Sequence, residues 1–159
     1  MSLQDDVEVL RAIPLFSKIE PAKLKLLAFT SEHLEFEQDE VLFRQGEPGD
    51  AAYIILRGSA DIVVDTPTGP VTVAHLARND VVGEIAILCD VPRTATVIAG
   101  SGLATLRVGK DAFFNLVTQF PQVGLGIMSE LAHRLHQTTV HLTEASARLR
   151  QLEQGSGPA

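Results

Sequence analysis

Between residues 32 and 108 the chain breaks into eight short apolar segments, each closed by a turn signal. They are HLEFE (33–37), VLFRQ (41–45), AYIIL (52–56), ADIVVD (60–65), VTVAHL (71–76), VVGE (81–84), ATVIA (95–99) and ATLRVG (104–109). Ile, Val, Tyr and Phe are concentrated there, as strands prefer. The turns are G-E-P-G-D (46–50), T-P-T-G-P (66–70), R-N-D (78–80) and G-S-G (100–102), rich in residues that bend a backbone cheaply. Short strands at this spacing predict an antiparallel sandwich or barrel, most simply an eight-stranded antiparallel jelly-roll β-barrel.

Helical periodicity flanks this block, so the fold class is mainly β with flanking helices. Val7, Leu10 and Ile13 keep helical spacing until Pro14, within a stretch running over 4–30. A second helix starts near Pro21, a residue suited to a first helical position, and buries Leu24, Leu27 and Ala28. After Gly109 the helical period returns over Asp111–Phe120. Pro121 then opens a long helix reaching about Glu153. Residues 1–153 read as one domain, and 154–159 (Q-G-S-G-P-A) as a flexible tail.

The long helix carries two apolar rows. Met128, Leu135, Leu142 and Leu149 stand seven apart, and so do Leu131, Thr138, Ala145 and Leu152. Two rows at heptad spacing predict a coiled-coil seam and hence a homodimer, with Thr138 as its polar interruption. Arg148 and Glu153 suit a cross-strand pair in a parallel dimer. The alternative is a helix that packs its apolar face on its own barrel. Gly124 and Gly126 each cost about 1 kcal/mol relative to alanine inside a helix. A hinge or a close packing contact near the helix start accounts for them.

With 159 residues the chain is long enough for a substantial core. Hydrophobic residues make up 45% and charged residues 21%, which excludes bulk disorder. The net charge of −7 excludes holding nucleic acid by charge alone, but not a small basic pocket for one anion. No apolar run approaches the roughly 18 residues of a membrane span. The start, MSLQDDVEVL, is acidic where a signal peptide is basic and then apolar. One cysteine, Cys89, precludes an internal disulfide. These features predict a cytoplasmic protein with no membrane partner.

The segment V82-G-E-I-A-I-L-C-D-V-P-R-T-A-T-V-I-A99 carries the chemistry. Gly83 permits a positive φ or a close backbone approach. Glu84 opens a short apolar run through Cys89, long enough for one or two helical turns. The first amides of such a turn lack intrahelical partners and suit an anion. Pro92 ends the run, and Arg93 follows with a guanidinium suited to two-pronged phosphate contacts. Thr94 adds a hydroxyl, and Ala95 leaves space. A carboxylate beside these donors suits sugar hydroxyls, so phosphate plus ribose is the natural joint ligand. In an isolated Glu and Arg, a mutual pair on a barrel loop would be the simpler reading; the combined spacing argues against it here.

G83-E-I-A-I-L followed by P92-R-T-A-T-V resembles the phosphate-binding cassette of the cyclic-nucleotide-binding domain family. V9-L-R-A-I-P-L-F16 is similar to that family's N-terminal helix, and G46-E-P-G49, Y53-I-I-L and Gly58 to its glycine-punctuated strands. Ala52 departs from it, since a larger apolar residue is usual there. The resemblance spans about residues 7–153. It implies that Glu84, presented by Gly83, accepts from the ribose 2′-hydroxyl and that Arg93 pairs with the cyclic phosphate. It also implies that Ile85 and Ala86 offer backbone amides, that Thr94 and Ala95 close around the phosphate, and that Ile62, Val73 and Ala74 line the nucleotide pocket. F120-P-Q-V and S129-E-L-A-H-R-L-H-Q-T-T139 resemble the dimer helix of the bacterial catabolite activator proteins. There Thr138 and Thr139 fall where a hydroxyl pair reaches the adenine, while a register-setting role for Thr138 remains open. Thr94 also resembles the cyclic-GMP sites of eukaryotic kinases, so both cAMP and cGMP stay open, with the helix favouring cAMP.

The remaining reactive side chains suggest no further chemistry. His133 and His136 stand one turn apart but lack a completing carboxylate or thiol, so no metal is expected. His75 reads as an ordinary strand histidine, and Cys89 as a small buried thiol. No nucleophile–base pair, P-loop or metal-hydrolase motif is present, so an enzyme and a resident cofactor are not expected. Only six residues follow Glu153, so no DNA-binding unit is expected in this chain. The expected partners are a cyclic nucleotide, a second copy of the chain and a downstream protein that the sequence does not identify.

Overall fold

The computed structural model describes residues 3–155. Two compact units divide the chain after Phe120. The first begins with α1 (Leu3–Ala12), a 3-10 turn (Pro14–Phe16) and α2 (Pro21–Thr30). Pro21 occupies the first turn of α2, and Ser31 stops the helix by donating its Oγ hydrogen to the Leu27 carbonyl at 2.7 Å. Leu24, Leu27 and Ala28 are the buried stripe of α2, as their spacing predicted. A side-chain contact of 2.6 Å between Asp6 and His33 ties α1 to the first strand.

Eight strands follow: β1 (Glu32–Phe36), β2 (Val41–Phe43), β3 (Ala51–Arg57), β4 (Ala60–Thr66), β5 (Gly69–Leu76), β6 (Val81–Val82), β7 (Thr96–Ala99) and β8 (Leu103–Gly109). They form two four-stranded antiparallel sheets, ordered β1-β8-β3-β6 and β2-β7-β4-β5. The expected jelly-roll pattern is present. The barrel itself is not closed, because no ladder joins one sheet to the other among the described residues. Three expected segments are shorter than their apolar patterns suggest, the one at 95–99 starting only at Thr96. The strand at 41–45 ends at Phe43, and the one at 81–84 ends at Val82 because Gly83 turns the backbone to φ +91.

Inward residues of both sheets make one core, including Phe43, Tyr53, Ile55, Leu76, Val97 and Leu103. In β3 every residue from Ala51 to Leu56 is buried. The reason is that β3 lies inside its sheet while α3 (Glu84–Cys89) and α4 (Lys110–Gln119) pack against it. A continuous apolar run is what such double coverage demands. β3 thereby positions the segment that follows β6.

The second unit is α5, unbroken from Pro121 to Gly155 through Gly124 and Gly126. Gln154 and Gly155 are helical, so the helix extends into the stretch expected to be a tail; residues 156–159 lie outside those described. Met128, Leu135, Leu142, Leu149 and Leu152 are 61–68% exposed. Ala145 is exposed and Leu131 half-buried.

Candidate functional site

Gly83 is the pivot of the site. Its left-handed φ of +91 favours glycine. A Cβ at this position would also meet Arg93 Nη1 at 2.7 Å and the Ala51 carbonyl oxygen at 3.1 Å. Gly83 caps α3 without a side-chain hydrogen bond to its amides. The first N–H groups of α3, including those of Ile85 and Ala86, are of the kind that a helix start leaves without intrahelical acceptors. Glu84, Ala86 and Ile87 are buried, and Ile85 is half-buried. Asp90, at φ 52, closes the helix by donating its N–H to the Ala86 carbonyl.

Arg93 is held from both its backbone and its side chain. Its N–H donates to the Glu47 carbonyl and its carbonyl accepts from the Gly46 N–H, both at 2.8 Å. These bonds fasten the 46–50 turn to the cassette. The whole residue is only 3% exposed. Nη1 donates to the Gly83 carbonyl at 2.9 Å, and Nη2 to the Ala51 carbonyl at 2.7 Å. The guanidinium carbon lies 3.9 Å from the centroid of the Phe43 ring. Asp50 is an ion-pair partner at 3.8 Å, and its other oxygen accepts from Arg107 at 3.2 Å. Arg93 Nε is buried with no hydrogen-bond partner among the described residues.

The charge is therefore removed from water but incompletely compensated. Burial pushes the Arg93 guanidinium below its ordinary value, opposed by Tyr53 and Asp50. Arginine stays protonated in proteins even so. A buried cation with an unused donor costs free energy until an acceptor arrives, and an anion is the acceptor that also answers the charge. Gly83 and Arg93, ten positions apart in sequence, are thus in direct contact beside the start of α3.

The other expected residues are spread more widely. Thr94 is exposed and Ala95 buried. Ile62 and Ala74 are half-buried direct partners in the β4–β5 ladder. Val73 is the extra residue where that ladder shifts register, and its side chain is exposed. Thr138 and Thr139 are exposed on α5. Cys89 requires a correction: it is exposed, because α3 ends there and the helix buries its earlier residues instead. His75 is exposed and contacts Asp61 at 2.5 Å. Among the described residues no group of three His, Cys, Asp or Glu is placed to hold a metal, and no helix is long and apolar enough to cross a membrane.

Sequence reasoning missed Phe43, Asp50 and the Ala51 carbonyl, which surround the guanidinium. In the sequence Phe43 is an ordinary strand residue, and Asp50 an ordinary member of the 46–50 turn. A cavity of about 320 Å³ between α2 and α4, lined by Lys23, Leu26, Leu27, Leu116 and Phe120 among others, includes none of the cassette residues.

Residues 33–120 match the model of the cyclic nucleotide-binding domain. The chain is 31% identical over 108 residues to the cAMP-dependent protein kinase regulatory subunit of Aspergillus niger, covering 68% of this chain and 26% of that protein. It is 26% identical over 138 residues to the CRP-like cAMP-activated global transcriptional regulator of Mycobacterium tuberculosis, covering 86% of this chain and 62% of the regulator. Among solved structures, the sensor domain of the transcriptional regulator DNR from Pseudomonas aeruginosa superposes with a TM-score of 0.74 at 25% identity, covering 87% and 95% of the two chains. The chain thus spans about a quarter of the kinase subunit and under two thirds of the regulator.

Proposed function

Because the chain belongs to the cyclic nucleotide-binding domain family, we propose that it is a regulatory sensor whose ligand is a cyclic nucleotide, cAMP before cGMP. The observation that supports this most is Arg93: a buried cation with an unpartnered Nε, in contact with Gly83 beside the start of α3. A cyclic phosphate supplies the missing acceptor and the opposing charge. Charge-assisted hydrogen bonds of this kind contribute about 1.5–3 kcal/mol each. The amides of Ile85 and Ala86 share the phosphate, and Thr94 and Ala95 close around it. Glu84 takes the ribose 2′-hydroxyl. Ile62, Val73 and Ala74 contact the nucleotide, and Thr138 and Thr139 are hydroxyls for the base.

In this reading the protein is not an enzyme, works in the cytoplasm and forms a homodimer through the exposed rows of α5. Ligand capture tightens the cassette and repositions α5 at Gly124 and Gly126. A partner protein signals from this only if it binds the two states differently. A second reading is favoured by the length of the relatives: the chain is the ligand-sensing part of a longer transcriptional regulator, channel or kinase.

Titration calorimetry with cAMP and cGMP tests the assignment on the wild type and on Arg93→Ala. The wild type should bind one of them, and the variant should bind at least tenfold more weakly while staying folded. Equal affinities in the two proteins would remove Arg93 from the site.

A further inference from the structure

We propose that Phe43 is the positioning residue for the Arg93 guanidinium, holding it by its ring face so that Nε stays available as a donor for an anion. This rests on the assignment of Arg93 to the ligand phosphate.

Phe43 ends β2, the edge strand of the second sheet, whereas Arg93 follows the cassette fifty positions later. The two meet because β2 pairs with β7, the strand that starts at Thr96 just beyond Arg93. The ring is 8% exposed, and the guanidinium carbon stands 3.9 Å from its centroid. Tyr53 packs against Phe43 with tilted rings, their centroids 5.8 Å apart. Gly83 keeps the space open on another side, since a Cβ there would come within 3.4 Å of Phe43 Cε2 and within 2.7 Å of Arg93 Nη1. Two carbonyls take one hydrogen each from Nη1 and Nη2. Carbonyls on the edge and an aromatic face on the plane fix both the rotation and the tilt of the group.

The ring does what an aliphatic side chain of similar size cannot. Its negative face attracts a cation, and the attraction is largest when the cation is desolvated, as Arg93 is. Phe43 thereby holds the guanidinium without using a hydrogen-bond donor. An acidic residue in its place would neutralise the charge and compete with the phosphate. Asp50, at 3.8 Å and largely exposed, is too loosely placed to do that alone.

The test compares wild type with Phe43→Tyr, which keeps the ring face, and Phe43→Met, which fills similar volume without one. Two readouts are taken: calorimetric affinity for cAMP and the NMR signals of the Arg93 Nε–H and Cδ protons in ligand-free protein. Phe43→Tyr should bind within about twofold of wild type, and Phe43→Met about tenfold more weakly. The Arg93 protons should show an upfield ring-current shift in wild type and Phe43→Tyr that disappears in Phe43→Met. Phe43→Met binding as tightly as wild type, or Arg93 protons that do not move, would overturn the proposal. Should the wild type bind no cyclic nucleotide, the ligand assignment fails, and the ring-current shift still decides whether Phe43 holds Arg93. If Phe43→Met does not fold, the wild-type and tyrosine spectra decide: no upfield shift in either overturns the proposal.

Discussion

Gly49 faces Ala86 so closely that a Cβ on the glycine would fall 2.3 Å from the alanine Cβ. The 46–50 turn and the first turn of α3 therefore fit only as a pair of small residues. Arg93 belongs to the same arrangement, since its backbone bonds to Gly46 and Glu47 hold the turn in place.

Gly49→Ala should destabilise the protein by about 1–3 kcal/mol through overpacking, and should weaken nucleotide binding by shifting α3. Ala86→Gly alone should cost about 1 kcal/mol as a helical glycine. The double variant should recover part of the Gly49→Ala loss, because the space reappears on the other side. Denaturant unfolding of the four proteins measures this coupling. Strict additivity would show that the close approach relaxes elsewhere.

Gly58 sits at φ +89, where a Cβ would meet the Gly102 carbonyl oxygen at 2.2 Å. Gly58→Ala should lower stability by about 1–3 kcal/mol, since the residue has neither the backbone region nor the room for a methyl. Thermal unfolding checks this. A melting temperature equal to wild type would mean that the 58–59 turn and the 100–102 turn separate freely.

Leu135 is 68% exposed in the middle of the α5 rows. Leu135→Glu places a charge in the proposed seam and should leave the protein monomeric by sedimentation equilibrium, with the melting of the β-sheet unit little changed. A wild type that sediments as a monomer at high concentration would remove the dimer from the account.

Much of the fold is legible in the chain because its signals are local. The alternation in HLEFE and the turn residues at 66–70 mark strands and a hairpin without reference to anything distant. The anion site is partly legible for the same reason: Gly83, Glu84 and Arg93 fall within eleven residues. What surrounds the guanidinium is not local. Phe43 and Ala51 reach Arg93 through strand pairing, and no periodicity announces which strand residue will lie under an arginine fifty positions on. The exposure of Cys89 escapes the sequence for a related reason. A run of apolar residues in a helix of six buries one side only, and the last of them faced outward. The barrel stays open where the strand pattern predicts a barrel, because strand spacing predicts sheets but not whether their edges join.

The most direct measurement is the thermal stability of the protein alone and with saturating cAMP, cGMP or 5′-AMP, repeated on Arg93→Ala. A ligand at about 100 times its dissociation constant stabilises a fold by about 2.7 kcal/mol, a shift readily seen. The protein should shift with cAMP, or with cGMP in its place, should show no comparable shift with 5′-AMP, and should lose the response in Arg93→Ala. No shift with either cyclic nucleotide, or an equal shift in the variant, would contradict the assignment.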